Sequence, residues 1–350
     1  MATEAEIRDR LQAALPRLML QHDVRGVVIV VRLPDAAEFV YPEGTDANGK
    51  PLSPDTWFRV ASITKLVTAL AVLRLTNQGW LSLDDRIEQV LGDHPATRHG
   101  STVRQVLAHI SGLPLSWRNS RSPLDVEGGP PGTKFEYSNA GYDILGLVIE
   151  KVTGKSYEDV SQAEVLKPLE IEGVFGRVPS EPRIAALYGK EDHLNWPKLP
   201  KMEWPSGGLV TRPIHLIRLI AGFAFPPVGF LSNDVLLEAL SDATGDVDHQ
   251  RVPKDPAPPW GLGVELRGHK TRTFGGTHVG RDSFGHYGGS GCVVWHDPQT
   301  KLTWAILNSK TVGAGRTQDS NDWPFKFWGD IGDKVVPMTW AKIRHLMSGP

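Results

Sequence analysis

The sequence predicts an α+β fold in which both ends of the chain feed one sheet and a mostly helical lobe is inserted between them. Three observations lead there. A stretch rich in β-branched residues runs from Val24 to Leu33, and helical segments broken by Gly and Pro fill the middle from about Leu81 to Pro259. Strand-like runs then return at Gly261 to Leu266, Cys292 to His296 and Leu302 to Leu307. At 350 residues the chain can bury a large core. The expected organisation is a single domain over 1–350, with an α/β lobe made of 1–80 and 260–350 and a helical lobe of 81–259. A cleft is expected where lobe meets sheet.

Each element has a local reason. Ile7, Leu11, Leu15 and Leu18 recur at helical spacing among charged residues, an amphipathic helix. Val24 to Leu33 pairs with Glu38 to Tyr41 through a loop at Pro34 and Asp35, a first hairpin. From Ser62 to Gln78 the apolar residues cover more than one face and Gly79 stops the pattern, which predicts a largely buried helix. Shorter helices are expected at Val103 to His109, Tyr142 to Val152 and Tyr157 to Leu166, and a Trp-containing helical tail from about Trp323 to Met347. The Pro- and Trp-rich segments Asn195 to Pro205 and Val252 to Trp260 suit either stiff cleft-lining loops or surface loops pinned by Trp.

Composition narrows the function. A formal charge of −2 with interspersed signs selects for neither nucleic acid nor anionic lipid. The first 20 residues lack the apolar core of a signal peptide, and no run approaches the roughly 20 apolar residues of a membrane span. With Met1 as the natural start, a cytoplasmic protein is expected. The single cysteine, Cys292, excludes an internal disulfide and a multi-cysteine zinc site, and reads as a buried, inert thiol. The histidines show no convincing metal spacing, so neither metal nor cofactor is expected. Gly-x-Ser-x-Gly is absent, and Gly154-Lys155-Ser156 lacks the leading glycine of a P-loop, Ile149 standing in its place.

Ser62 is the only serine with a lysine, Lys65, three positions on, and residues three apart share a helical face. A serine hydroxyl needs a nearby base, and a lysine serves only when burial or neighbouring positive charge lowers its pKa. The helix start also offers backbone N–H groups to a developing anion, making the Ser62 amide half of a candidate oxyanion hole. Taken alone, the pair is common by chance and reads first as a helix cap followed by a solvated lysine. Two further constellations accompany it. Tyr137 and Asn139 flank Ser138 ahead of an amphipathic helix, where a phenol can relay protons and an amide can hold lysine and substrate. His286, Tyr287, Gly288 and Gly289 open a strand whose glycines suit close backbone approach. There the Gly289 N–H would complete the oxyanion hole, with His286 adding a donor; a glycine bulge beside a core histidine is the structural alternative.

These three elements, in this order, resemble the serine β-lactamase and penicillin-binding-protein superfamily, of which Ser-x-x-Lys is a signature. The resemblance spans about Thr56 to Asp297 and is nearest the branch of class C β-lactamases, D-alanyl-D-alanine carboxypeptidases, D-peptidases and β-lactamase-like esterases. Trp57 to Lys65, His109 to Pro114, Pro131 to Gly154 and Gly207 to Thr211 also resemble family segments. The resemblance implies a mixed, largely antiparallel sheet flanked by helices, with a helical lobe. It implies Ser62 as acylated nucleophile, Lys65 as base, Tyr137 as proton relay, Asn139 as substrate ligand, and His286 in place of the lysine of Lys-Thr-Gly, as in the family's His-Thr-Gly variant. Tyr287 departs from the pattern, since the family threonine there helps bind substrate carboxylates. With the missing signal peptide, this turns the expectation toward a carboxylesterase acting through an acyl-enzyme. The alternatives are a D-peptidase, a weak β-lactamase, or a catalytically silent binder. The expected partners are small ester, amide or β-lactam substrates.

Overall fold

The computed structural model describes residues 2–93, 97, 100–116, 128–176, 184–189, 201, 204–245, 247, 258–271, 273–313 and 323–338. Helix α1 (Glu4–Gln21) opens on a capping box between Thr3 and Glu6, and buries Ile7, Leu11, Leu15 and Leu18 along one face. Strands β1 (Gly26–Arg32) and β2 (Glu38–Gly44) form the expected hairpin, with Ile29 opposite Tyr41. After the short β3 (Phe58–Arg59), a 3-10 turn over Ala61–Ile63 leads into α2 (Thr64–Asn77). Ser62 therefore sits in the tight turn before the long helix rather than on it. Gly79, at φ 77°, follows the end of α2, as its position after the apolar pattern implies.

The middle of the chain is helical in short pieces. These are α3 (Ile87–Leu91), α4 (Val103–Leu107), α5 (Asn139–Thr153) and α6 (Tyr157–Ser161), the last running on as a π-helical turn over Gln162–Leu166. Strand β4 (Gly173–Phe175), helix α7 (Trp204–Gly207) and strand β5 (Leu209–Thr211) follow. A small sheet of order β3-β5-β4 closes this region, and the sequence reading contains no counterpart of it. Helices α8 (Pro213–Ala224) and α9 (Asn233–Ala239) come next. The chain then returns through β6 (Glu265–Leu266), β7 (Phe284–Gly288), β8 (Cys292–Asp297), β9 (Leu302–Asn308) and α10 (Trp323–Val335). The strand expected over Gly261 to Leu266 contracts to two residues, because Gly261 and Gly263 turn the backbone there. The part of the expected helical tail beyond residue 338 lies outside the described residues.

The principal sheet has the order β2-β1-β9-β8-β7-β6, so strands from both ends of the chain lie side by side. Each of its ladders is antiparallel. Period-two alternation distributes its side chains between two cores. Val28, Val30, Val294, Ala305 and Leu307 face the core shared with α2 and α8. Val27, Ile29, Val31, Trp295, Trp304 and Ile306 face the core shared with α1 and α10. A sheet covered on both faces explains why β1 reads as an unbroken apolar run instead of an alternating one. No helix among the described residues is long and apolar enough to cross a membrane.

Candidate active site

The site is assembled from three backbones that the fold brings together at one end of α2. Ala61, at φ 44°, turns the chain so that the next residue, Ser62, leaves the turn toward the helical region. Lys65, the second residue of α2, is fully buried. Its Nζ lies 3.2 Å from Ser62 Oγ, 2.6 Å from Asn139 Oδ1 and 2.8 Å from the Ser206 carbonyl oxygen. Two of these three partners can only accept, whereas the serine hydroxyl can also donate. A neutral amine thus places its two N–H bonds on Asn139 and Ser206 and turns its lone pair to the Ser62 hydroxyl. Burial pulls the Lys65 pKa down to about 7, with Asp143 acting in the opposite sense.

Helix α5 presents the second group. Ser138 is its N-cap, and Ser138 Oγ accepts the Gly141 N–H at 2.8 Å. That cap sets Asn139 as the first helical residue, and Tyr137 lies just outside. Tyr137 neighbours Ser62, whose side chain acts to lower the phenol's pKa, and the Tyr137 ring centroid lies 4.9 Å from Lys65 Nζ. Ser62, Lys65, Tyr137 and Asn139 therefore converge, Asn139 from the first residue of α5. Burial raises the Tyr137 pKa well above the ordinary phenol value, so its hydroxyl is held protonated at neutral pH.

The third group comes from β7, which runs against the backbone just before Ser62. A Cβ on Gly288 would stand 2.2 Å from the Val60 carbonyl oxygen, so only glycine permits this approach. At Gly289, by contrast, a Cβ would meet nothing within 4 Å. Gly291, at φ 99°, turns the strand back into β8, and its N–H donates to the Gly288 carbonyl at 3.0 Å.

His286 is fully buried on the site face of β7. Its Nδ1 lies 2.7 Å from the Tyr287 carbonyl oxygen, a pure acceptor, so Nδ1 carries the proton. Burial, aided by the charge of Lys65, lowers the His286 pKa to about 3. The ring is then neutral and its Nε2, which has no hydrogen-bond partner among the described residues, is an acceptor. The expected donor role of His286 is corrected accordingly: its one N–H is committed to the backbone. Tyr287 points to the opposite face, where its ring lies 4.2 Å from Phe274 and 6.2 Å from Trp328.

Three features near the site carry weaker sequence signals. His109 packs its ring 4.3 Å from that of Tyr137 and 5.1 Å from that of Trp260, while its Nδ1 accepts the Ser138 N–H at 3.1 Å. Trp260 is itself fully buried between His109 and His286, which assigns the end of that Pro/Trp segment to the site; residues 252–257 lie outside the described residues. Ser206, in α7, contributes only its carbonyl, and a backbone contribution leaves no residue-type signature. Cys292 is buried, and burial raises its thiol pKa to about 12, consistent with an inert role. Among the described residues no group of His, Cys, Asp and Glu could hold a metal ion.

Comparison with known proteins agrees with this architecture. The sequence profile of the Beta-lactamase family matches residues 7–323. Protein flp of Staphylococcus aureus (strain MW2) is 35% identical over 139 residues, which cover 34% of this chain and 28% of that relative. The match thus spans well under two thirds of the curated relative's length. Among solved structures, one described as SurE with D-Leu superposes with a TM-score of 0.73 at 26% identity, covering 95% of this chain and 75% of that one. Another, EstCE1, described as a hydrolase with promiscuous acyltransferase activity, reaches a TM-score of 0.76 at 20% identity over 95% and 99% of the two chains. A family profile over nearly the whole chain, joined to this fold, places the protein in the Beta-lactamase family.

Proposed function

We propose that this protein is a carboxylesterase that acts through an acyl-enzyme on Ser62. The observation that carries the reading is the contact set of Lys65 Nζ, which leaves a neutral amine's lone pair for the Ser62 hydroxyl. In acylation Lys65 takes the hydroxyl proton as Ser62 Oγ bonds to the ester carbonyl carbon. The carbonyl oxygen, now anionic, is held by the Ser62 and Gly289 N–H groups. As the C–O bond to the alcohol breaks, the Tyr137 hydroxyl gives its proton to the departing oxygen and recovers one from the Lys65 ammonium. Water, deprotonated by the same route, releases the acid and restores Ser62. Asn139 holds Lys65 and offers its amide N–H to the substrate carbonyl side chain.

The preference for esters over peptides or β-lactams rests on Tyr287, which stands where the family threonine binds substrate carboxylates, and on the state of His286 beside it. The resemblance admits lysine at the His286 position or, in the His-Thr-Gly variant, histidine, and a cation at that position suits a substrate carboxylate. A neutral ring with an accepting Nε2 does not, and Tyr287 is packed in the aromatic cluster on the far face. The test is a parallel assay of p-nitrophenyl butyrate, nitrocefin and a D-alanyl-D-alanine peptide, with fluorophosphonate labelling mapped by mass. Ester turnover with label on Ser62 is the expected result. Faster nitrocefin or peptide turnover would move the assignment to lactamase or peptidase, and no label at Ser62 would make the protein a silent binder.

A further inference from the structure

Asp143 is almost fully buried one helical turn beyond Asn139, on the same face of α5. Its Oδ1 accepts the Ser206 N–H at 3.2 Å, and the carbonyl of that same Ser206 accepts from Lys65 Nζ at 2.8 Å. One residue of α7 is thereby clamped between a buried carboxylate and the buried amine. The clamp depends on close packing, since a Cβ on Gly146, three residues after Asp143, would stand 2.2 Å from Pro205 Cγ. A carboxylate is costly to bury without a reason.

The other groups around Lys65 supply no comparable charge. Asn139 and the Ser206 carbonyl are neutral, and Tyr137 and Tyr142 present ring faces 4.9 and 5.5 Å from Nζ. Tyr157, from α6, donates or accepts at Thr68 and stays protonated through burial. His109 and His286 are both held neutral by burial. Glu265, on β6, is paired with Lys270 at 2.6 Å. Among the described residues around this amine, Asp143 is thus the negative charge that acts on Lys65.

Building on the proposed role of Lys65 as base, we propose that Asp143 is a positioning residue of the acylation step, fixing the Ser206 carbonyl that anchors the amine and balancing its ammonium form. Neither substrate nor Ser62 touches it in this role. It acts by deciding where the amine sits and how readily it holds a proton. Replacing Asp143 by Asn keeps an oxygen acceptor for the Ser206 N–H and removes only the charge. The ammonium form then loses support, and the neutral, reactive amine persists to lower pH.

The measurement is the pH dependence of the second-order rate of Ser62 acylation by p-nitrophenyl butyrate, in wild-type protein and in Asp143→Asn and Asp143→Glu. The acid limb is expected to move down by about one pH unit in Asp143→Asn, so that the rate relative to plateau rises about tenfold well below the limb. Asp143→Glu, which keeps the charge, should leave the limb within a few tenths of wild type. If Asp143→Asn does not fold, Asp143→Ser, a smaller neutral acceptor, takes its place. An unmoved limb in a folded neutral variant overturns the inference while leaving Lys65 as base. Absence of any acid limb in the wild type overturns the base assignment, and this inference with it.

Discussion

The approach of β7 to the proposed nucleophile can be tested at one atom. In Gly288→Ala the new Cβ would stand 2.2 Å from the Val60 carbonyl oxygen and 2.8 Å from Cys292 Sγ. A relaxed carbon–oxygen contact is about 3.3 Å, so strand and turn must separate by about 1 Å. The Val60 carbonyl has little freedom to move, because it accepts both the Ile63 N–H at 3.1 Å and the Cys292 thiol at 3.2 Å. Overpacking of this kind costs about 1–3 kcal/mol of stability. The larger effect falls on chemistry, because β7 carries the Gly289 amide away from the oxyanion. A misplacement of about 1 Å can cost about 100-fold, and loss of one oxyanion donor about 2.7–4 kcal/mol, or 10²–10³ in rate. The expected outcome is a fall in kcat/KM of about 10²–10³ in protein that still folds. Gly289→Ala is the control: its Cβ would meet nothing, its N–H survives, and most activity should remain. Both variants are assayed with p-nitrophenyl butyrate, with thermal melts alongside. Wild-type kcat/KM in folded Gly288→Ala would refute the close approach and the oxyanion role together.

Four further outcomes follow from the structure. Tyr137→Phe removes the hydroxyl that neighbours Ser62 while leaving the ring packed on His109, so single-turnover acylation should slow by about 10²–10⁴ with little change in Tm; an unchanged acylation rate would exclude proton relay through Tyr137. If Lys65 acts as the proposed base, its deprotonated amine is the reactive form, and kcat/KM should rise with pH to a plateau above about 7 and fall as pH drops through that value. His286, neutral down to about 3, should add no second limb between pH 4 and 9, and a pH–rate profile showing one would contradict its assigned state. Leu70→Ala empties a fully buried position in α2 and should cost about 2–5 kcal/mol in urea unfolding; a cost below about 1 kcal/mol would place that helix outside the core.

Much of the fold was legible because its signals are local. The hairpin of β1 and β2, the buried α2 and the returning β8 and β9 all follow from composition and periodicity over short windows. What escaped depends on distant partners. The three-stranded sheet β3-β5-β4 uses strands of two or three residues, too short for any period to register, and each exists only because the others are nearby. The second half of the site escaped for a related reason. Ser206 acts through a carbonyl that every residue possesses, and Asp143 is one more acidic residue in an amphipathic helix until α7 packs on it.

His286 shows where reading by residue type reaches its limit. An imidazole can donate, accept or carry charge, and the side chain alone does not select among these. The selection is made by the Tyr287 carbonyl at 2.7 Å, which fixes the proton on Nδ1, and by a fully buried setting beside the Lys65 amine, which keeps the ring neutral. A lysine at this position would be a second cation close to Lys65; the amine of Lys65 would then release its proton more readily and substrate anions would be drawn in. The neutral acceptor does neither. The task of tuning Lys65 therefore falls to burial, opposed by Asp143. In His286→Lys, nitrocefin turnover should accordingly rise relative to p-nitrophenyl butyrate turnover, and an unchanged ratio in the folded variant would show that charge at this position does not govern the choice of substrate.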